Sequence, residues 1–222
     1  MVKKILGSAI VAALCAAPAF AQSPKVEVGV FGGWTFSDGV SGDARIAADG
    51  NLYDRVDPKD SFHWGAQVGG FVSDNIAVGF LFSQQLTEME AGGTNTRKIG
   101  DETISTYHGY VEYNAGDADA SFRPYFLFGL GATHYGSLTF TTLQGQSRDF
   151  GGDTQFSGTI GAGVKLYPGH NAGVRFGARW TPTYIKSDSE GWWCDPYWGC
   201  YVVGDAQYSN QFELNAGVTF RF

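Results

Sequence analysis

Two short segments carry residue types that nucleophilic catalysis uses. His134 and Ser137 lie close together in the chain, and a histidine base beside a serine hydroxyl is the minimum that an acyl-transfer site needs. Ser209, nearer the C-terminus, has Gln207 two residues before it, so the base that would activate this hydroxyl is missing there. We therefore predict a protein that is not an enzyme, and a lipid-modifying esterase is the weak alternative.

Residue types that bind metals are present without the spacing of a metal site. The histidines are scattered at positions 63, 108, 134 and 170, whereas metal sites usually draw ligands from closely spaced pairs. The acidic segment from Ser37 to Ser61 lacks the alternating Asp/Asn and glycine pattern of a calcium loop. We predict no metal and no cofactor.

The segment from Ser187 to Ala206 combines two cysteines with several aromatic residues. Cys194 and Cys200 enclose five residues that include Pro196 and Gly199, which suit a tight bend. In an oxidising compartment we expect a disulfide between the two cysteines. The aromatic side chains either pack as a lid on the protein, dip into a membrane or present a binding surface; they are Trp192, Trp193, Tyr197, Trp198 and Tyr201.

Residues 1–21 have the features of a secretory signal peptide. Lys3 and Lys4 precede an apolar run, and Ala19-Phe20-Ala21 has the small-x-small form that signal peptidase recognises. We predict cleavage after Ala21, which leaves residues 22–222 as one mature domain. Loss of the two lysines lowers the formal net charge from −7 to −9, and this argues against a nucleic-acid partner, which requires a basic face.

The strongest structural pattern is the alternation of apolar and polar residues from Gln207 to Phe222. Every even position from Phe212 onward is apolar, and the odd positions include Glu213 and Arg221. A period of two predicts a β-strand with two different faces. Its length, well above that of an ordinary strand, is typical of a wall between lipid and a polar interior.

Seven earlier segments show the same alternation, and the connections between them are long and short in turn. This regular asymmetry favours an all-β fold, an eight-stranded antiparallel up-and-down transmembrane β-barrel with short periplasmic turns and four longer extracellular loops. No apolar run after the signal approaches the roughly 20 residues of a spanning helix. The predicted strands are 25–36, 62–72, 76–87, 102–114, 122–135, 154–166, 172–184 and 207–222, and residues 37–61, 88–101, 144–153 and 187–206 are predicted to be loops.

The charged residues of these strands decide which face meets lipid. A row of large apolar residues on eight strands would aggregate in water, so we expect it to face lipid and the charges to face the lumen. At this strand number side chains fill the lumen, which predicts a plugged, ion-paired interior centred on Arg175 and Arg179, with a permeation path as the alternative. The predicted interior charges are Glu27, Glu112, Lys165, Arg175, Arg179, Glu213 and Arg221.

The aromatic residues of the strands are expected to form two girdles at the membrane interfaces. Those near the outer rim are Trp34, Phe36, Phe62, Trp64, Trp180 and Tyr184, and those near the inner rim are Tyr113, Tyr167, Phe220 and Phe222.

The mature chain resembles the small eight-stranded outer-membrane β-barrel superfamily of OmpA-, OmpX- and OmpW-like proteins. The resemblance rests on the signal, the eight-strand alternation, the R-P-Y-x-x-x-G-x-G segment from Arg123 to Gly131, and the terminal Phe222. It implies a bacterial outer-membrane location, contact with outer-membrane lipid, and recognition of Phe220 and Phe222 by the assembly machinery during biogenesis. In outer-membrane lipid deacylases the His-x-Ser pair lies near the C-terminus, where this chain has Gln207 instead of the histidine.

We therefore expect a monomeric, non-catalytic barrel with a structural or surface-interaction role in the cell envelope. The alternative that the resemblance implies is an OmpW-like channel that passes small hydrophobic solutes.

Overall fold

The computed structural model describes residues 25–38, 40–48, 51–93, 96–141, 147–150, 152–185, 194–195, 199–200 and 207–222. All regular structure within these ranges is β-strand. The strands are β1 (Val26–Ser37), β2 (Val40–Ala48), β3 (Asn51–Pro58), β4 (Ser61–Phe71), β5 (Ile76–Gly93), β6 (Arg97–Asn114), β7 (Phe122–Tyr135), β8 (Leu138–Thr141), β9 (Ser147–Phe150), β10 (Asp153–Leu166), β11 (Ala172–Ile185), β12 (Cys194–Asp195), β13 (Gly199–Cys200) and β14 (Gln207–Arg221). No helix in the described ranges is long and apolar enough to cross a bilayer.

Eight of these strands close into an antiparallel barrel. The order around the wall is β5, β4, β1, β14, β11, β10, β7 and β6, and pairing of β6 with β5 completes the ring. The first and last strands of the wall are neighbours, paired from Glu27 opposite Arg221 to Ser37 opposite Gln211. Closure matters because an open sheet edge would leave backbone groups without hydrogen-bond partners in lipid. The predicted eight-stranded antiparallel barrel is confirmed.

The outer face of the barrel is apolar and the inner face is polar, the reverse of a water-soluble protein. Large apolar residues on the outer face are exposed, for example Val30 at 52% and Phe126 at 65%. Charged residues on the inner face are buried, for example Lys165 at 0% and Glu27 at 3%. A surface of this kind is stable in lipid and would aggregate in water.

All four connections that we predicted as loops contain strand residues: residues 144–153 include β9 and the start of β10, and residues 187–206 include β12 and β13. Residues 37–61 include β2 and β3, and β3 extends the sheet by pairing with β5 from Pro58 opposite Met89 to Tyr53 opposite Gly93. β5 and β6 likewise continue through residues 88–101, where Glu88 is opposite Asp101. The strands project beyond the apolar belt, where the sequence no longer alternates regularly between apolar and polar residues. The apolar alternation that marks a strand in lipid is therefore lost even though the backbone pairing continues.

The opposite ends of the strands are joined by short turns. The turn after β4 is closed by a hydrogen bond from the amide of Val72 to the carbonyl of Ile76, at 2.9 Å. Gly116, after β6, has a φ of 88°, a left-handed conformation that glycine adopts without the penalty of a Cβ atom.

Candidate functional site

The most highly charged region of the lumen lies near the short turns and is centred on Lys165. Its Nζ atom donates to Glu27 Oε1 at 2.6 Å and also to Glu112 Oε1. These residues belong to β10, β1 and β6, none of which neighbours another in the wall. The three side chains therefore form a strut across the lumen, which we call the Lys165 strut.

The two arginines that we placed at the centre of the network take other positions. Arg175 Nη2 lies 3.6 Å from Glu112 Oε2, and its guanidinium carbon lies 4.5 Å from the centre of the Tyr125 ring. Arg179 pairs with Glu213, which is directly opposite on β14. Lys165, and not either arginine, contacts two carboxylates at once.

Tyr167 and Arg221 form the floor of the lumen. The Tyr167 hydroxyl donates to Glu27 Oε2 at 2.6 Å, and the Arg221 guanidinium carbon lies 3.4 Å from the centre of the Tyr167 ring. Arg221 also donates to the carbonyl of Ala118, which anchors a short turn. The prediction that Tyr167 belongs to the inner aromatic girdle is wrong: it is 3% exposed because it continues the inward parity of Lys165 one step past the end of β10.

Arg123 is a buried interior charge that the sequence reasoning missed. Its Nη2 atom donates to the carbonyl of Asp74 at 2.7 Å, and its guanidinium carbon lies 5.9 Å from the Phe71 ring centre. Both faces of β7 are rich in apolar residues, so the alternation there does not distinguish inside from outside. The register between β7 and β10 places Arg123 opposite the inward-facing Lys165, and this pairing identifies Arg123 as an inward residue.

An apolar layer lies above the Lys165 strut and consists of Phe31, Leu81, Tyr110, Tyr125 and Leu127. Inward glycines make room for its rings. A Cβ atom on Gly177 would lie 2.2 Å from the Tyr125 hydroxyl, and one on Gly65 would lie 2.4 Å from Phe31 Cζ. The cavity that remains at this level is about 10 Å³, at the lower limit for a single water molecule. The barrel is blocked at this height.

Glu213 also connects the apolar layer with the polar residues above it. His63 Nε2 lies 3.5 Å from Glu213 Oε2, and His63 Nδ1 is hydrogen-bonded to Thr35 Oγ1 at 2.9 Å. The Arg179 guanidinium carbon lies 5.2 Å from the Phe31 ring centre.

A layer of hydroxyl and amide groups fills the lumen toward the long loops. Thr133 Oγ1 donates to Ser157 Oγ at 2.9 Å and accepts from Thr183 Oγ1 at 3.0 Å. Gln211 Nε2 donates across the lumen to Gln85 Oε1 at 2.8 Å. We did not single these residues out, although their position on the inward parity of each strand is the signal that identifies them.

The candidate catalytic residues do not form a catalytic pair. The His134 Nδ1 atom is hydrogen-bonded to Thr154 Oγ1 at 2.9 Å on the neighbouring strand. Ser209 Oγ donates to the carbonyl of Asp38 at 3.4 Å. Within the described ranges, no group of three or more His, Cys, Asp or Glu side chains is placed to hold a metal ion.

Several predicted site residues lie at or beyond the limits of the described structure. Trp192, Trp193, Tyr197 and Trp198 are outside the described residues. The backbones of Cys194 and Cys200 are opposite each other in the β12–β13 pair, and the disulfide stays a prediction. Phe220 and Phe222 lie on the outer face, at 45% and 38% exposure.

The mouth of the barrel holds a cavity of about 920 Å³ at the long-loop end. Glu102, Thr87 and Ser61 contribute to its wall from the inner face of the barrel, and His134 and Ser137 border it near the end of β7. Glu102 is a second interior charge that the sequence reasoning missed, because it begins the predicted fourth strand next to a polar loop.

A closed antiparallel barrel with an apolar outer surface and a charged, blocked lumen is an integral outer-membrane β-barrel. Residues 7–222 match the model of the family described as outer membrane protein beta-barrel domain, and the chain belongs to that family. It is accordingly a protein of the bacterial outer membrane.

Among characterised proteins, the chain is similar to outer membrane porin F of Pseudomonas fluorescens, with 31% identity over 120 residues. That match covers 54% of this chain and spans about a third, 34%, of porin F.

Solved structures of other outer-membrane proteins share the fold, and two of them are compared with this chain. Neisserial surface protein A has a TM-score of 0.51 and 13% identity, covering 89% of this chain and 97% of that one. OprG from Pseudomonas aeruginosa has a TM-score of 0.53 and 13% identity, covering 90% and 97%.

Proposed function

We propose that this protein is a non-catalytic outer-membrane barrel with a structural or surface-interaction role in the cell envelope. The observation that carries the proposal is the blocked lumen: the Lys165 strut and the apolar layer leave a cavity of only about 10 Å³ at mid-height. The fold hosts many functions, so the proposal rests on these side chains and not on the fold.

The strut favours a rigid scaffold over a gated pore. Moving Lys165 aside would leave Glu27 and Glu112 buried without their shared cation. Breaking a buried pair in this way typically costs about 3–5 kcal/mol. An open state reached by this route would be a small fraction of the population at equilibrium.

The strands beyond the apolar belt favour a role at the cell surface. β3, β5 and β6 form a paired platform there, and ion pairs stabilise it. Lys98 Nζ lies 2.6 Å from Glu88 Oε1 and 2.8 Å from Asp101 Oδ1. An ordered polar platform of this kind presents a defined surface to partners.

A channel is the second candidate, supported by the similarity to porin F and by buried polar atoms that a hydrated lumen would satisfy. In the described structure Arg175 Nε and Nη1 and both Gln67 amide atoms lack a hydrogen-bond partner. Water in the lumen would supply those partners.

Planar-bilayer recording of the purified protein separates the two candidates. We expect no stable, large ionic conductance from the parent protein, and a higher conductance from a variant that combines Phe31→Ala with Tyr125→Ala, because this change removes two of the three rings of the apolar layer. Stable, large conductance of the parent would overturn the structural proposal. Uptake of a hydrophobic solute into vesicles that contain the protein would support the OmpW-like alternative.

A further inference from the structure

The cavity at the mouth exists because β7 ends earlier than β5 and β6. β6 pairs with β7 as far as Ile104 opposite Tyr135, and one further hydrogen bond joins the amide of Gly136 to the carbonyl of Thr103 at 2.9 Å. Beyond that point, among the described strands, β6 is hydrogen-bonded to β5 alone, while β8 lies near it without a backbone ladder. The cavity of about 920 Å³ opens beside β6. The residues around it come from both faces of the wall: Thr87 and Glu102 lie on the inner face, and Leu86 and Thr103 lie on the outer face.

Most of the acidic groups around this cavity have basic partners. Glu88 pairs with Lys98 at 2.6 Å and with Lys59 at 3.2 Å. Asp101 pairs with Lys98 at 2.8 Å, and Glu90 pairs with Lys59 at 3.4 Å. Two lysines therefore compensate three carboxylates at the rim.

Glu102 is the exception. It lies on the inner face, is 8% exposed, and lines the cavity without a hydrogen-bond or ion-pair partner in the described part of the chain. Thr87 is directly opposite on β5, but its hydroxyl already donates to the carbonyl of Lys59 at 2.5 Å. A largely buried carboxylate without a partner is stabilised by a cation that binds beside it.

The surroundings favour an organic cation over a metal ion. No other Asp, Glu or His is placed with Glu102 to form a group of three or more metal ligands within the described residues. On the inner face, beside Glu102, the cavity wall instead carries the hydroxyl groups of Ser61 and Thr87. Hydroxyls accept hydrogen bonds from an ammonium group.

We propose that the mouth cavity binds a small primary amine, with the ammonium group on the Glu102 carboxylate. This binding activity goes beyond the structural role proposed above and does not require the lumen to conduct. A variant that loses amine binding can therefore keep the structural role, and a variant that loses the structural role can keep amine binding.

The test uses the purified full-length protein in lipid nanodiscs and putrescine as the probe, measured by calorimetric titration at neutral pH. We expect saturable binding to the parent protein and about tenfold weaker binding to Glu102→Gln, since a hydrogen bond to a charged group is lost. Asp101→Asn is the matched control, because Asp101 is adjacent in the chain, lies on the opposite face of β6 and already has a lysine partner. It should change the affinity by less than about threefold.

Folding of both variants is checked by the heat-dependent gel mobility of the barrel. Backbone NMR shifts of residues 101–105 report binding by a second method that does not depend on calorimetry. Absence of saturable binding to the parent would overturn the proposal. Unchanged affinity of Glu102→Gln would do the same, and so would equal binding of 1-butanol, a neutral molecule that presents a similar alkyl chain.

Discussion

Lys165 and Glu27 are 138 positions apart in the chain and meet across the lumen at 2.6 Å. The contact forms only when the first strand of the wall and the sixth have both taken their places in the closed barrel. With Glu112 on the far wall, it links strands that share no backbone hydrogen bonds. Side-chain ion pairs thus connect opposite sides of the barrel, in addition to the backbone hydrogen bonds that join neighbouring strands of the wall.

Lys165→Met should lower the stability of the barrel substantially, because the change leaves Glu27 and Glu112 buried without a shared cation. We expect a loss of about 3–5 kcal/mol in the free energy of unfolding. Urea unfolding in lipid vesicles, followed by tryptophan fluorescence, measures it. Lys98→Met is the control, because Lys98 is 46% exposed in its ion pairs and surface pairs contribute about 0–1 kcal/mol. Equal losses in the two variants would show that the strut is hydrated.

Arg179→Leu should also lower the unfolding midpoint, because among the described residues Glu213 then keeps only His63 as a nearby basic group. Combining it with Glu213→Leu should recover part of the loss, since no uncompensated charge remains. The double-mutant cycle measures this coupling energy. A single variant as stable as the parent would indicate a wet interior and strengthen the channel alternative.

Gly177→Ala should destabilise the barrel, because the new Cβ atom would lie 2.2 Å from the Tyr125 hydroxyl. Overpacking of this kind typically costs about 1–3 kcal/mol. Adding Tyr125→Phe removes that hydroxyl, and the next ring atom, Cζ, is 3.3 Å away. We therefore expect the double variant to regain stability relative to Gly177→Ala alone.

The control for that pair is Gly158→Ala, where the nearest atoms lie 3.7 Å from the added Cβ. This variant should unfold at the parental midpoint or slightly above it. If Gly177→Ala behaves in the same way, the Tyr125 ring is free to move and the apolar layer is loosely packed.

Acidification should loosen the platform formed by the outer ends of β5 and β6. Hydrogen bonds from Lys98, and then from Lys59, lower the pKa of Glu88, which lies beyond the apolar belt. A lowered pKa in the folded state means that the stabilising contribution is complete above the ordinary carboxylate range, near pH 4.3, and is lost as the pH falls through the lowered value. Hydrogen exchange of the amides of residues 88–101 as a function of pH measures it.

The reference for this experiment is Lys98→Met, in which the main donor to Glu88 is absent. Its platform should exchange faster at neutral pH and respond less to acid. A parent protein with the same exchange above and below the carboxylate range would contradict the assignment of these ion pairs to platform stability.

We predict a disulfide between Cys194 and Cys200, whose backbones are opposite each other in β12 and β13. With roughly seven residues in the ring, it should stabilise its loop by about 2–3 kcal/mol and leave the barrel unaffected. Reduction should keep the heat-dependent gel mobility of the folded barrel and increase protease cleavage between residues 187 and 206. Quantitative labelling of free thiols in the unreduced protein would refute the pairing.

Local alternation in the sequence was sufficient to predict the barrel. Each strand in lipid must place apolar residues outward at every second position, so the pattern is imposed by the solvent and is visible in segments such as Gln207–Arg221. Where the strands leave the lipid, this constraint ends, and the pairing of β3 with β5 could not be predicted because the regular apolar alternation is missing there.

The interior contacts depended on the tertiary structure. The sequence indicated that Glu27, Lys165 and Glu112 face inward, because inward parity is a local property of each strand. Which of them touch depends on the register between neighbouring strands and on the curvature that brings distant walls together. Arg123 illustrates the difference: its burial follows from the paired backbone around it, whereas its local sequence is compatible with either face of the wall.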